Sequence, residues 1–503
     1  MISKLDLTDI QGNLIRAYGR ASFQYARYVF FRVDGARGAE AREFIKAITK
    51  YITTSVTWGM GTDEVEKPLA TTNIAFTYDG LEALGLPRAS LFGFPPEFAM
   101  GMKNRKDILG DDGPSAPERW DKVWQGDPVH IFISINGQSR DALEQRYAEI
   151  MRCVADSQDA VCIVAGHRGD DNDSLDYQDA SVIFENGKAC SKEHFGYTDA
   201  IGDPVFEGMP DAEARKDGRG KQVANGWEVL AAGEFILGHL DEAREYPAAP
   251  EPFLLSRNGS FMVYRKLHQN VGAFNKYLEQ EGATYPGGKD MLAAKFVGRW
   301  RDNGAPLVDA PDHAAKQVWD AKYAAAATDE AKDRMLSNFT FDDDQDGGKC
   351  PFSAHLRRVN PRASLQTESG AFDTPGALAN RRRVLRRGLP YGTVEHPHSD
   401  SGEHGIIIMM VSASISRQFE FVQQQWINYG NDFRVGNDKD IILGNHGSRH
   451  PSKAVIQVAA ASDSAPYFLR NIPRFVETRG GDYFFMPSMT ALRLIALGLI
   501  DPT

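Results

Sequence analysis

Strand-like and helix-like segments alternate along this chain in an order that occurs twice, and this order constrains the fold more than any other feature. In the first half, residues 24–33 are rich in aromatic and β-branched residues, and residues 38–51 become helical with Ala, Glu and Lys. The same half predicts strands at residues 72–78, 129–135 and 161–166 and a helix at residues 139–153. A β-α-β-β-α-β order predicts a ferredoxin-like sheet with its helices on one face.

The second half repeats this order. Residues 260–266 predict a strand that leads into a helix through residue 278. The remaining elements are a strand at 405–412, an amphipathic helix at 415–426 and a strand at 483–486 before a closing helix. With 503 residues, the chain exceeds what one hydrophobic core usually supports, and prolines cluster at 247, 250 and 252. The sequence therefore predicts an α+β protein of two ferredoxin-like domains, residues 1–245 and 246–503.

The charge and composition argue against two classes of partner. A formal net charge of −11 argues against nucleic acid, because phosphate binding needs a basic face. No apolar run reaches the roughly 18–20 residues that a membrane span requires. The N-terminal segment MISKLDLTDIQGNL lacks a signal pattern, and the four cysteines, Cys153, Cys162, Cys190 and Cys350, lack metal-ligand spacing. We therefore expect a cytoplasmic protein with reduced thiols, and with neither nucleic acid nor membrane as a partner.

One histidine stands out because of its neighbours. His355 lies in the run CPFSAHLRRVNPR, residues 350–362, where it follows small and apolar residues and precedes Arg357 and Arg358. A neutral imidazole on an apolar wall suits an axial ligand of haem iron, and guanidinium groups can pair with haem propionates. Taken alone, the run is explained better by a buried histidine beside solvated arginines.

Two further segments change that balance: KEHFGYTDAIGDPVFEG at residues 192–208 and NRRRVLRRGLPYG at residues 380–392. Together with the His355 run, and in the same order, they resemble three signature regions of the dye-decolourising peroxidases, a haem peroxidase family. Shorter matches extend the resemblance over most of the chain: DIQGNL at 9–14, GEFILGHLDE at 233–242 and GGDYFFMPS at 480–488. The chain is most similar to the longer bacterial and fungal branches of the family.

The resemblance implies catalytic roles for two residues. Asp199 matches the family's distal aspartate, which accepts a proton from peroxide and returns it. Arg386 matches the distal arginine, whose fixed charge stabilises the departing oxygen. Without the resemblance, Asp199 would be an ordinary turn aspartate and the arginines around residue 386 a solvated basic face. Arg387 competes for the second role, but Arg386 stands two residues before Gly388, as the family arginine does.

The resemblance also implies haem b, bound in the C-terminal half. His355 is then the metal ligand, the axial ligand of the haem iron. Arg358 and Arg362 are either propionate partners or plain surface arginines. Ile406 and Ile408, in the strand GIIIMMVS, line the distal pocket by analogy, although an ordinary buried strand predicts the same residues.

The activity that the resemblance implies is the oxidation of dyes, phenolics and other aromatic reductants by hydrogen peroxide through a ferryl intermediate. The resemblance also allows a homo-oligomer. The alternatives are a haem carrier with little turnover and a structural protein that has lost haem. Ala200 stands where the family motif has glycine, and we expect an active protein nonetheless, because Asp199 and Arg386 are retained.

Overall fold

The computed structural model of the protein describes residues 5–59, 65–199, 202–366, 376–447, 452–458 and 465–500. Within these ranges the strands are β1 Tyr25–Val33, β2 Ala70–Phe76, β3 Ile131–Gly137, β4 Val161–Ile163, β5 Tyr177–Ser181, β6 Ile183–Glu185, β7 Lys188–Cys190, β8 Lys221–Val223, β9 Gly226–Glu228, β10 Ser260–Gln269, β11 Leu385–Tyr391, β12 Gly405–Ser412, β13 Lys453–Ile456, β14 Tyr467–Arg470 and β15 Val476–Met486. The α-helices are α1 Gly12–Ile15, α2 Gly38–Thr49, α3 Tyr78–Ala83, α4 Arg88–Phe92, α5 Pro96–Met100, α6 Lys106–Leu109, α7 Arg140–Asp156, α8 Ala212–Arg215, α9 Phe253–Ser256, α10 Val271–Gly282, α11 Gly288–Val297, α12 His313–Ala325, α13 Asp329–Ser337, α14 His355–Val359, α15 Ala377–Asn380 and α16 Met489–Leu497. In the part of the chain that the structure describes, none of the helices combines the length and the apolar character needed to cross a membrane.

Two groups of four strands build the main sheet. Within the described residues the sheet has nine strands in the order β11-β12-β10-β15-β2-β3-β1-β4, and β5 also pairs with β1. Each half places the strands of its β-α-β-β-α-β unit in the order fourth, first, third, second, as β4-β1-β3-β2 and as β15-β10-β12-β11. The two groups join at one register pair, Phe76 with Phe485. The predicted fold class is thus confirmed, whereas the division between residues 245 and 246 stays a prediction.

The sheet curls so that its inner face encloses an aromatic core. β11 at one edge approaches β5 at the other. The ring centroids of Phe30 and Tyr264 lie 5.3 Å apart at 88°, and those of Phe132 and Phe484 lie 5.4 Å apart. Such aromatic pairs contribute about 0.5–1.5 kcal/mol each beyond their area burial. Because each pair joins a strand of the first half to a strand of the second, this core holds the two halves together.

Helices cover the outer face of the sheet in the first half. α2 packs against α7, and the last helix, α16, returns from the second half to pack against α2. Ser139 caps α7 by accepting the N–H of Ala142 at 3.2 Å, and Ser488 caps α16 by accepting the N–H of Ala491 at 3.1 Å. Each cap of this kind stabilises a helix by about 1 kcal/mol.

The outer face of the second half is different, because β12 divides its side chains between a core and an open face. Met409 and Val411 are buried in the inner core, whereas Ile406, Ile408 and Met410 turn to the outer side, as strand alternation requires. On this outer side a cavity lies against β10, β11 and β12.

The segment predicted as an amphipathic α-helix at 415–426 has a different geometry. It forms two π-helical stretches, Ile415–Glu420 and Val422–Ile427. The wider i→i+5 turn changes which side chains share a face, and π-helical turns occur frequently at functional sites. Here Phe419, Val422 and Ile427 reach the cavity.

Candidate active site

A cavity of about 760 Å³ lies against the outer face of β10, β11 and β12. This volume is within the range of roughly 300–1,000 Å³ that is typical of small-molecule and cofactor sites. Apolar residues come from the sheet and from helices α11 and α14: Leu267, Ile406, Ile408, Met410, Val297, Leu356 and Val359. Two apolar walls suit a large apolar ligand, and the predicted contacts Ile406 and Ile408 both lie on the sheet wall.

His355 is the first residue of α14 and lines the cavity. Its Nδ1 atom is 2.8 Å from Oδ2 of Asp440, which lies 85 residues further along the chain. The other ring nitrogen, Nε2, has no hydrogen-bond partner among the described residues. A histidine held in this way presents Nε2 to a metal, and the carboxylate fixes both the tautomer and the ring orientation.

Asp440 is built to remain ionised. Its side chain is fully buried, and its Oδ1 accepts the N–H groups of Ile442 and Leu443 at 2.8 Å each. Burial alone would raise the pKa of Asp440, but His355 and these backbone donors outweigh it and lower the pKa below its usual value. An ionised Asp440 attracts the Nδ1 proton of His355 and makes Nε2 a stronger donor to a metal.

The loop that carries Asp199 is a turn held by its own backbone and one carboxylate. The Glu193 side chain accepts the N–H groups of Phe195 and Tyr197 at 2.8 and 2.9 Å. Gly196 has a φ of 90°, a conformation that favours glycine. The N–H of Asp199 donates to the carbonyl of Ser191 at 2.8 Å, which closes the loop and directs the chain into the cavity wall.

Asp199 and Arg386 meet at this wall. Nη2 of Arg386 donates to Oδ1 of Asp199 at 2.9 Å. Half of the Asp199 side chain is accessible, although protein surrounds it, because the carboxylate faces the cavity. The structure therefore brings the predicted pair together in the cavity that also holds His355.

Arg387 has a separate structural role. It is the next residue along β11, and it turns to the opposite side of the strand and is only 6% exposed. Its Nη1 donates to Asp203 at 2.9 Å, and its Nη2 donates to the carbonyl of Leu14 at 3.0 Å. These bonds tie the N-terminal segment to β11. Of the two arginines, Arg386 is thus the one that reaches Asp199.

The charges around Asp199 keep it deprotonated. Burial alone would raise the pKa of Asp199, but the positive charges of Arg386 and Arg20 hold it well below its usual range, with a smaller effect from Arg299. The Asp199 carboxylate in turn raises the pKa of Arg386. A carboxylate able to accept a proton therefore lies beside a permanent cation, which is the pair needed to transfer a proton and stabilise a departing oxygen.

Arg20 is a site residue that sequence reasoning missed. Its Nη2 lies 3.6 Å from Oδ2 of Asp199 and also donates to the main-chain oxygen of Asp199 at 3.2 Å. Arg20 belongs to a short 3-10 helix in the N-terminal segment, far from Asp199 in sequence. No motif in the chain links the two residues, so only the fold reveals the contact.

We expect Arg20→Gln to move the acid limb of the pH–rate profile for the reaction with peroxide to higher pH. Loss of one cation raises the pKa of Asp199, so the carboxylate protonates earlier as the pH falls. Near neutral pH the rate should stay within a few-fold of wild type, because Arg386 still pairs with Asp199. Stopped-flow rates across pH measure the shift. Arg20→Lys is the matched control and should keep the wild-type profile; an unshifted acid limb in Arg20→Gln contradicts this role.

The structure contradicts the proposed propionate role of Arg358. Its side chain is fully buried and its donors reach main-chain carbonyls, of Phe352 at 2.5 Å, Trp426 at 2.6 Å and Asp438 at 2.8 Å. The reason is the phase of α14: His355 and Val359 share the face that lines the cavity, and residue 358 lies off it. Arg358 binds α14 to the neighbouring π-helical segment instead.

Arg362 is excluded for a similar reason. It is 3% exposed, it does not line the cavity, and its guanidinium donates to the carbonyls of Phe339, of Gly218 at 2.7 Å and of Ser337 at 2.9 Å. Burial, with the nearby charges of Arg383 and Arg299, lowers the pKa of Arg362 well below its usual range. Three cations thus crowd together at this side of the cavity.

Arg383 is the member of this group that is available to a ligand. It lines the cavity, and its hydrogen bond to the carbonyl of Gly220 is long, at 3.4 Å. It makes no ion pair with a carboxylate of the described residues. Burial and the charge of Arg386 lower the pKa of Arg383 to about 10. An uncompensated cation at an apolar cavity suits a ligand with a carboxylate on its edge.

Residue 200, where alanine replaces the family glycine, lies outside the described residues, as does Ile201. The expectation that Ala200 permits activity therefore stays a prediction.

The chain is similar to known proteins along nearly its whole length. Residues 9–168 match the family model of the DyP dimeric alpha+beta barrel domain. Dye-decolorizing peroxidase msp1 of Mycetinis scorodonius is 27% identical over 98% of this chain and 88% of its own length. Multifunctional dye peroxidase DyP2 of Amycolatopsis sp. is 27% identical, with 97% and 95% covered. The solved structure of an ancestral D-type dye decolorizing peroxidase is 26% identical, with a TM-score of 0.75 over 98% of this chain and 99% of that one. In sequence, in fold and in the arrangement of the site, the chain is similar to the dye-decolourising peroxidases.

Proposed function

We propose that this protein is a haem peroxidase that uses hydrogen peroxide to oxidise dyes, phenolics and other aromatic reductants. The observation that carries this proposal is the meeting of two pairs in one cavity. His355 with Asp440 forms a metal-ligand pair, and Asp199 with Arg386 forms a proton-transfer pair. The relatives from Mycetinis and Amycolatopsis are both named as dye peroxidases, which supports the same activity.

The residues of the cavity fit haem b. Nε2 of His355 is free to bind the iron, and the apolar walls that include Ile406 and Ile408 suit the faces and edges of a porphyrin. Arg383 has no carboxylate partner among the described residues and would pair with a propionate. When bound, haem supplies the iron at which peroxide is split and the oxidising equivalents are held.

The chain's own residues carry the proton chemistry. Asp199 accepts the proton from one oxygen of hydrogen peroxide and delivers it to the other oxygen, which leaves as water. The Arg386 guanidinium stabilises the negative charge that develops on the departing oxygen. Asp440 holds the Nδ1 proton of His355 and so keeps the ring in one orientation. A haem carrier would have no use for the Asp199–Arg386 pair, so the pair favours the enzyme.

The experiment that tests this function uses the haem-loaded protein with hydrogen peroxide and an anthraquinone dye or a phenol. We expect a Soret band typical of histidine-ligated haem and multiple turnovers of the reductant that depend on both haem and peroxide. Stoichiometric haem binding without turnover over a range of reductants and pH values would support the carrier instead. A colourless protein after haem supplementation would exclude both functions.

Arg383→Gln is expected to weaken haem binding by about 10–100-fold, because a charge-assisted hydrogen bond is worth roughly 1.5–3 kcal/mol. The transfer of haem to an excess of apomyoglobin gives the rate of haem loss without relying on activity. Arg383→Lys keeps the charge and should lose haem at a rate between those of wild type and Arg383→Gln. If Arg383→Gln retains haem as wild type does, the propionates are bound elsewhere.

We also propose a cytoplasmic location. The location is supported by the four cysteines, which are all free thiols in the structure. Cell fractionation with an antibody to the native protein tests it; recovery of the protein in the culture medium of its host would contradict it.

A further inference from the structure

We infer that Met410 is a site of self-oxidation, at which hydrogen peroxide held by Asp199 and Arg386 converts the thioether to a sulfoxide and so limits the working life of the enzyme. The inference rests on the proposed peroxidase function, since it uses the same peroxide in the same site. It adds a modification site and a cause of inactivation.

The sheet register places Met410 next to the proton-transfer pair. Met410 on β12 is the direct register partner of Arg386 on β11. Side chains of directly opposed residues point to the same face, with Cβ atoms about 4.5–5.5 Å apart. Met410 and Arg386 therefore share the face of the sheet that borders the cavity, where Nη2 of Arg386 contacts Asp199 at 2.9 Å.

A packed core holds Met410 in this place. Its register partner on the other side is Val263 of β10, a fully buried residue of the outer core. Met410 packs against that core, is only partly buried, and lines the cavity with its remaining surface. The sulfur is therefore restrained near the site without being shielded from it.

Met409, the preceding residue, provides a natural comparison. Its side chain packs in the inner core with residues such as Val411 and is only 5% exposed, although the residue also borders the cavity. The two methionines are chemically identical and adjacent in sequence, but the alternation of a β-strand directs their side chains to opposite faces of the sheet. Oxidation from the site must favour Met410 over Met409. Because Met410 is also the more accessible of the two, the comparison with Arg386→Leu distinguishes oxidation from the site from oxidation by free peroxide.

The oxidation step is balanced without a further reagent. A lone pair of the Met410 sulfur takes one oxygen of hydrogen peroxide, the O–O bond breaks, and the other oxygen leaves with its electron pair. Asp199, which accepts a proton from the peroxide, returns it to the leaving oxygen, so water is formed. The sulfur is oxidised by two electrons and the peroxide is reduced by two. Arg386 stabilises the leaving oxygen, as it does in the main reaction.

The product changes the site. A sulfoxide is polar and carries a strong hydrogen-bond acceptor, unlike the thioether that it replaces. Placed opposite Arg386, this oxygen would compete with the Asp199 carboxylate for the guanidinium donors. The pair that moves the proton would then be misaligned, and small displacements of a catalytic group are costly.

The test exposes the haem-loaded protein to repeated additions of hydrogen peroxide without a reductant. Peptide mass spectrometry measures the sulfoxide at each methionine, and residual dye oxidation measures the loss of activity. We expect Met410 sulfoxide to rise in parallel with the loss of activity, Met409 to remain reduced, and added phenol to suppress both changes. Arg386→Leu, which removes one of the two groups that hold the peroxide, should oxidise Met410 several-fold more slowly than wild type under the same peroxide.

Two matched variants complete the test. Leucine nearly conserves the volume of methionine. Met410→Leu should lose activity several-fold more slowly than wild type, each rate being normalised to the protein's own initial activity. Met409→Leu should lose activity at the wild-type rate.

Three results would overturn the inference while leaving the proposed function intact: equal oxidation of Met409 and Met410, equal oxidation of Met410 in wild type and Arg386→Leu, or wild-type inactivation in Met410→Leu. A wild-type holoprotein with no initial peroxidase activity would overturn the proposed function, and this inference with it.

Discussion

His355→Ala is expected to abolish stable haem binding. Alanine removes the free Nε2 atom that faces the cavity and leaves the buried Asp440 carboxylate without its side-chain partner. After haem loading and gel filtration, wild type should keep its Soret band and the variant should lose it. Loss of the residue that hydrogen-bonds to a metal ligand typically costs roughly 10–100-fold in activity. Loss of the ligand itself should therefore lower peroxidase activity by more than this. Circular dichroism shows whether the variant is folded.

Asp440→Asn tests the contribution of the Asp440 charge while the ligand His355 stays in place. Asparagine keeps the shape and can still accept the N–H groups of Ile442 and Leu443, but it lacks the charge. This variant should retain haem and show a raised reduction potential, because a less electron-rich His355 stabilises ferric iron less well. If His355→Ala instead binds haem with an unchanged spectrum, the ligand assignment is wrong. His446 is a poor substitute, since its Nε2 is 2.8 Å from the main-chain oxygen of Asp440.

Arg386→Leu is expected to slow the first reaction with hydrogen peroxide by about a hundredfold or more, the usual cost of losing a group that stabilises developing charge. The fold should survive, because the Arg386 side chain is 37% accessible and its side-chain hydrogen bond goes to Asp199. Stopped-flow absorbance of the Soret band after mixing with peroxide gives the rate. Haem binding by the variant should resemble that of wild type.

Arg387→Leu is the matched control, with the opposite pattern. It should lower the free energy of unfolding by about 3–5 kcal/mol, because it leaves Asp203 without its buried cation and frees the carbonyl of Leu14. The peroxide rate per folded haem-loaded molecule should stay within a few-fold of wild type. A slow Arg387→Leu beside a fast Arg386→Leu would transfer the catalytic role to Arg387.

The sequence predicts best where one local pattern decides the structure. β12 spans the predicted residues 405–412, because an uninterrupted apolar run leaves little choice. β15 begins at residue 476, seven residues before the predicted strand, because polar residues and the Gly480–Gly481 pair obscure its pattern. A side chain at Gly480 would collide with the ring of Trp124, so glycine is required there for packing.

The site was predictable only in part, for a physical reason. A motif identifies which residue carries the chemistry, as for His355, Asp199 and Arg386, but it does not identify the partner that tunes it. Asp440 and Arg20 reach the site through the fold, from segments with no distinctive pattern. The role of Arg358 depends on where a five-residue helix begins, which sets the side that this arginine faces, whereas Arg362 lies beyond that helix in a separate 3-10 turn.

The single register pair between Phe76 and Phe485 has a consequence for how the enzyme is assembled. Backbone pairing alone holds the two groups of strands weakly there, so side chains must align them. Gln11 is one of these: its Nε2 donates to the carbonyls of Ile74 and Pro487 at 2.9 Å each. Asp199 comes from the first half of the chain, and Arg386 from the second. The 2.9 Å contact between them therefore forms only after the halves have docked. Peroxidase activity is then a late event in folding, because the reactive centre exists only in molecules in which both halves are folded and docked.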